Sequence, residues 1–225
     1  MTLEGAQVKA VVEIMPFSSG LNRNIAQCLE DYGIPLFLSH NISFVHGKDR
    51  LEGVTIAQID AQFKEIAGTQ KYYACDTLLL SVGLIPENEL SLKAHVPLDP
   101  ITNGPMVDSA MQTETPGIFA CGNVLHVHDI VDFVTRESRT AGKNAGLYAL
   151  GQLKTSAFVP CKPAKGIRYV MPRKALTENP DGVNLFMRVD AVYHNSCVLV
   201  KSGDKVLAKK RVAHMIPSEM INIPL

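Results

Sequence analysis

Between Gln7 and His40 the chain passes from a strand pattern to a helix pattern and back to a strand pattern, and this order limits the fold more than any other feature. The run QVKAVVEIM, Gln7–Met15, is short, rich in valine and followed by Pro16, which suits a buried parallel strand. Ser18, Ser19 and Gly20 then offer cap chemistry for a helix through LNRNIAQCLEDYG, with Ile25, Cys28 and Leu29 on one face and Gly33 as its stop. IPLFLSH supplies the second strand. Strand, helix, strand is half of a doubly wound α/β unit.

Downstream the period changes. ISFVHG, LEGVTIAQID and QKYYAC are three β-like runs that predict an antiparallel meander. DTLLLSVG, Asp76–Gly83, predicts a fully apolar strand ending at Gly83, after which Pro86 excludes a long continuation. Asn103-Gly104 and Pro116-Gly117 are turn signals around a short strand near Met106 and Val107, and IFACGN, Ile118–Asn123, predicts the next buried strand. A helix follows through DIVDFVTRESRTAGKNAGLYALG. Ala141, Ala145 and Ala149 fall four residues apart on it, a stripe that permits close approach to a neighbouring backbone. From Pro160 onward GIRYVMP, VNLFMRVDAVY and CVLVKSGDKVLAKKRVAHM, with NPDG and SGDK turns, predict a small antiparallel β module in which AKKRV is a solvated strand edge.

Charge and cysteine content narrow the function classes. Lys plus Arg and Asp plus Glu are 22 each, so no net field favours nucleic acid or an anionic membrane. No apolar run approaches the ~20 residues that span a bilayer, and the acidic start MTLEGAQVKAVVEIMP lacks the basic and apolar regions of a signal peptide. A cytoplasmic location is expected. The five cysteines, Cys28, Cys75, Cys121, Cys161 and Cys197, stand singly without a C-x-x-C pair and are expected to be buried thiols.

Two segments taken together, CDTLLLSVGLIPENEL and VDSAMQTETPGIFACGNV, resemble the C-terminal half of the two-dinucleotide-binding flavoprotein oxidoreductases, the pyridine nucleotide-disulfide oxidoreductase family in the broad sense. The resemblance covers roughly Val8 to Leu150, and the last part resembles the small β extension of FAD-dependent members. It implies an α/β fold: partial doubly wound NAD(P)-binding and FAD-binding Rossmann-like domains with a small C-terminal antiparallel β module. Residues 1–86 become a partial NAD(P)-binding domain, 87–155 the C-terminal segment of an FAD-binding domain, and 156–225 the β extension.

The resemblance also implies the site. Gly83 and Gly122 sit at strand ends facing cofactor, and Gly122 lets the backbone pass close to FAD. Asn123 stands where the family places an acid on a ribityl hydroxyl, and an amide oxygen can still accept there. The amides of Val131 and Asp132, at the positive end of the following helix, face the flavin ring. Glu13, ending the first strand, occupies the place of the acid on the adenine ribose and favours NAD(H) over NADP(H), although Arg23 offers an alternative partner for a phosphate. The expected chemistry is hydride transfer between nicotinamide and flavin, with no side chain assigned as catalytic.

His126, His128 and Asp129 raise the alternative of a metal, since imidazoles two apart on an extended segment point the same way. The sequence shows no third independent ligand, so the reading is no metal and a loop along the cofactor cleft. Cys121 reads as a small core residue. Finally, a dinucleotide-binding domain needs G-x-G-x-x-G at a helix start to hold pyrophosphate, and the 225 residues contain none. The expected partner is therefore an N-terminal half, or a subunit carrying those motifs, in a homo- or hetero-oligomer. A non-catalytic module completing a partner's site and an inactive truncated product are the alternatives.

Overall fold

The computed structural model describes residues 1–18, 20, 22–154, 156–178 and 182–225. It has two compact units, Met1–Val82 and Gly83–Leu225. Ser19 of the expected cap and most of the NPDG turn lie outside the described residues.

In the first unit, strand β1 (Val11–Glu13) pairs in parallel with β2 (Leu36–Leu38), and helix α1 (Asn22–Cys28) connects them. A 3-10 turn at Glu30–Tyr32 and Gly33, at φ 62°, end the connection as the glycine signal predicts. The meander is present: β3 (His40–His46), β4 (Gly53–Gln58) and β5 (Lys71–Ala74) pair antiparallel in that order. β4 lies in the middle and buries Val54, Ile56 and Ala57.

The run DTLLLSVG forms no strand. Leu79, Leu80 and Val82 are 65%, 72% and 94% exposed. A run apolar on both sides needs a sheet neighbour and two covered faces, and no described strand pairs with it.

The second unit opens with α2 (Glu89–Lys93) and continues through turns to α3 (Val131–Ala149), the long helix expected there. IFACGN and Met106–Val107 are not strands either. They meet their neighbours through isolated bridges, Gln112 with Phe119, Val107 with Thr113 and Leu98 with Pro105. The Asn103-Gly104 and Pro116-Gly117 turns fold the chain back too soon for longer ladders: Asn103 has φ 57° and Gly117 φ 83°. Gly104 lies against the Leu125 backbone, and a Cβ there would stand 1.8 Å from the Leu125 carbonyl oxygen. Val107, Met111, Ala120, Leu125, Ala141 and Met171 form the core below α3.

The C-terminal part is the expected antiparallel β module. Strands β6 (Phe158–Pro160) and β8 (Lys174–Leu176) pair with each other, while β7 (Ile167–Met171), β9 (Asn184–Val189) and β12 (Ile221–Pro224) form a sheet with β9 central. Between β9 and β12 lies a long hairpin of β10 (Tyr193–Ser202) and β11 (Lys205–Met215), closed by the SGDK turn with Gly203 at φ 57°. Leu185, Met187, Val189, Val198, Met215, Ile221 and Ile223 make its core.

The cysteines depart from expectation. All five are free, but Cys28 and Cys197 are exposed and the other three half-buried, because the elements carrying them turn only one side to a core.

Candidate functional site

Four segments of the second unit converge around the turn that follows IFAC. Cys121 is extended, and Gly122 then begins a 3-10 turn, Gly122–Val124, with φ 72°. A side chain is strained at that angle, and a Cβ would also stand 3.1 Å from Val134 Cγ1. The Asn88 side chain, from the PEN segment, donates to the Val124 carbonyl at 2.7 Å and the Asn103 carbonyl at 2.9 Å. A buried amide with both hydrogens satisfied fixes the turn from one side.

Glu137 fixes it from the other. Its Oε2 accepts the Gly122 N–H at 2.8 Å and its Oε1 lies 2.7 Å from His126 Nε2. His128 Nε2 lies 2.9 Å from Oε2 but lacks the alignment of a hydrogen bond. The Glu137 side chain is 2% exposed and both imidazoles 1%. Burial pushes the Glu137 carboxyl up, but the contacts from His126 and His128 outweigh it and hold the group down at about 2. Burial likewise pulls His126 below its ordinary value, against the Glu137 contact that raises it.

Asp129 turns away from the two histidines. Its Oδ1 meets Arg188 Nη2 at 2.5 Å and its Oδ2 accepts the Met220 N–H at 2.5 Å. Arg188 Nη2 also donates to the Val127 carbonyl at 3.0 Å, so β9 holds the loop in which the histidines sit. His126, Val127, Tyr169 and Arg188 border an open cleft of about 270 Å³ whose other wall includes Asn103 and Ile85. A second groove, about 390 Å³, runs beside Phe119, Ala120, Cys121 and Val124.

The residues singled out in the sequence fall as follows. Gly122, Asn123, Val131 and Asp132 lie on one short stretch leading into α3. Ile130, the residue before that helix, is extended and makes no side-chain cap, Val131 is 72% exposed, and the Phe133 N–H donates to the Ile130 carbonyl at 3.3 Å. The Asn123 Oδ1 accepts the His128 N–H at 3.1 Å, which fixes the amide orientation because a backbone N–H only donates. Its NH2 is then the end turned outward. Gly83 has φ 96° with open space around it. Glu13 ends β1, where its Oε1 accepts the Met15 N–H at 2.9 Å. Arg23, on α1, is exposed. Cys121 is half-buried, 3.6 Å from the Ser138 hydroxyl.

Sequence reasoning missed Asn88, Glu137 and Arg188. The signal for Glu137 was present: it stands four residues before Ala141, on the face that packs inward. A charge on a buried helix face needs a partner.

The sequence profile of the pyridine nucleotide-disulphide oxidoreductases matches residues 5–146, more than half of the chain. The chain belongs to this family. It is 27% identical over 139 residues to an NADH oxidase of Methanocaldococcus jannaschii, an alignment covering 56% of the chain and 27% of that protein. Its fold resembles thioredoxin reductase from T. acidophilum, with a TM-score of 0.54, 22% identity, and coverage of 63% of this chain and 44% of the other. A NAD-dependent persulfide reductase from A. fulgidus matches with a TM-score of 0.49 and 17% identity, over 86% of this chain and 35% of that one. The family is one of oxidoreductases that use FAD and pyridine nucleotides, and the chain spans less than half the length of each of these relatives. Among the described residues no helix is long and apolar enough to cross a membrane.

Proposed function

We propose that the chain is the C-terminal portion of an FAD-dependent, NAD(P)H-linked oxidoreductase, and that residues 118–133 form its flavin contact. The observation that carries this is the uncapped start of α3. The Val131 and Asp132 amides project at an exposed helix N-terminus directly after the family's T-P-G-I-F-A-C-G-N segment. Their chemistry fits a flavin ring, which gains negative charge on reduction, because amides and helix dipole present positive charge there at no cost in reorganisation.

When bound, FAD would accept a hydride from nicotinamide; the protein's share is binding and orientation. Gly122 gives the backbone its turn, Asn88 and Glu137 hold that turn, and Asn123 presents its NH2 as a donor to a ribityl or phosphate oxygen. Its oxygen, engaged by His128, is less available as an acceptor than the sequence implies. Glu13 at the end of β1 supports NAD(H) over NADP(H).

The G-x-G-x-x-G loops that hold the pyrophosphates would come from outside these 225 residues, either from a preceding segment or from a partner subunit. The exposed run Leu79, Leu80, Val82, Leu84 and Ile85 supports such a partner, because exposed apolar stretches of this kind mark interaction surfaces. The chain is to be produced in cells together with the coding sequence upstream of it. A yellow protein whose flavin absorbance bleaches anaerobically with NADH is expected; a colourless, fully folded product would refute the flavin reading.

A further inference from the structure

His126 and His128 stand on the loop after the Gly122 turn, and Glu137 reaches them from the second turn of α3. One ligand atom from each of the three lies within 4.8 Å of the others. The two imidazole contacts with Glu137 are not equivalent. The His126 Nε2 contact with Glu137 is a proper hydrogen bond, but His128 Nε2 is buried, aimed at Glu137 Oε2 from 2.9 Å, and has no aligned partner. A buried polar atom left unpaired costs about 1–3 kcal/mol.

A cation asks for lone pairs rather than for linear N–H alignment. We propose that His126, His128 and Glu137 form a binding site for one divalent transition-metal ion, with zinc(II) the natural occupant. Two imidazoles and one carboxylate are a zinc donor set, and they leave a further position open. Magnesium and calcium prefer all-oxygen shells, and a soft-metal site would need thiolate, which is not among the three ligands.

Binding would use the Nε2 lone pair of each ring and an oxygen of Glu137. Both Nδ1 atoms are buried without a hydrogen-bond partner. Tyr169 and Phe186 have ring centroids 6.0 and 5.7 Å from that of His126, and Phe186 lies 5.4 Å from that of His128, so the pair sits among aromatic rings. His126 also borders the 270 Å³ cleft, which provides the path of entry. The bound ion would lock the loop to α3 immediately beside Gly122.

The test needs no flavin. Tag-free chain, stripped with a chelator, is titrated with zinc(II) against a chromophoric competitor and with cobalt(II) by absorption spectroscopy. The background carries His194→Gln and His214→Gln, because those exposed rings, with Nδ1 atoms 3.2 Å apart, can take metal on the surface. One equivalent of zinc is expected. His128→Gln, which removes no aligned hydrogen bond, should weaken binding roughly 100-fold or more, since even outer-shell partners of a metal site cost about 10–100-fold. Glu137→Gln should do the same. Equal zinc affinity in the His128→Gln protein, no stoichiometric binding at all, or a cobalt spectrum with thiolate charge-transfer bands would overturn the proposal. Should either variant fail to fold, the cobalt spectrum of the background protein decides alone: a nitrogen and oxygen ligand field supports the site, and a thiolate spectrum or none refutes it.

Discussion

Two regions of this chain reverse the ordinary distribution of polar and apolar groups. At α3 a carboxylate and two imidazoles are almost wholly buried, whereas between Leu79 and Ile85 five large aliphatic side chains are exposed by 65% to 94%. The difference teaches where each kind of group finds its complement. Glu137 finds Gly122 N–H and His126 within its own compact unit, so its burial is tolerated. The aliphatic run pairs with no strand among the described residues. One region satisfies its polar groups within its own unit, and the other leaves its apolar side chains to solvent.

The hardest way to break this contrast is to remove the carboxylate. Glu137→Leu leaves the Gly122 amide and a histidine N–H buried without acceptors, and taking one partner from a buried polar pair costs about 3–5 kcal/mol. Urea unfolding in chelator should show a loss of that size. A change below about 1 kcal/mol would mean that the turn does not depend on Glu137, and the self-sufficiency of the region would fall with it.

Acid probes the same cluster more gently. Glu137 is held at about 2 against an ordinary 4.5, so its contribution is complete above pH 4.5 and disappears as pH falls from there toward 2. The size is on the order of 3 kcal/mol. His126 is held below 6.5, so the folded protein resists a proton that the unfolded chain accepts, and stability also declines as pH drops below that value. Both windows have the same sign. Urea midpoints measured in chelator from pH 7 to pH 3 should therefore fall continuously, and Glu137→Leu should flatten the part below pH 4.5. A midpoint that rises on acidification would contradict both assignments.

The part of this fold that could be read from the sequence depends on local chemistry. β1, α1, β2, the meander, α3 and the C-terminal hairpin carry their own periodicity, glycine stops and turn residues, and Gly33 and Gly203 end their elements as those signals dictate. The misread segments, DTLLLSVG and IFACGN, are apolar runs whose strand character depends on neighbours, and no local pattern reports whether those neighbours are present. The site divides in the same way. His126 and His128 were visible through their spacing of two, whereas their partner Glu137 comes from a different element, and only the packing of α3 against the loop brings it near. Asn123 shows a finer limit: its identity was evident, but the His128 amide that takes its oxygen is set by the course of the loop.

The smallest expected effect belongs to the aliphatic run and sharpens the contrast from the other side. If Leu80 and Val82 face water in the chain by itself, replacing them with lysine removes almost no packing. Leu80→Lys and Val82→Lys should change unfolding stability by no more than about 0.5 kcal/mol, as surface substitutions do, while raising solubility because the apolar patch is broken. The same substitutions made in a complex with the proposed partner should act differently, since a lysine placed against a covering sheet must be desolvated. A loss above about 2 kcal/mol in the isolated chain would resemble a core truncation, and would mean that the run packs against its own chain. The case for a covering partner would then lose its support. A neutral result in the chain joined to a destabilised complex would locate the missing complement at these two residues.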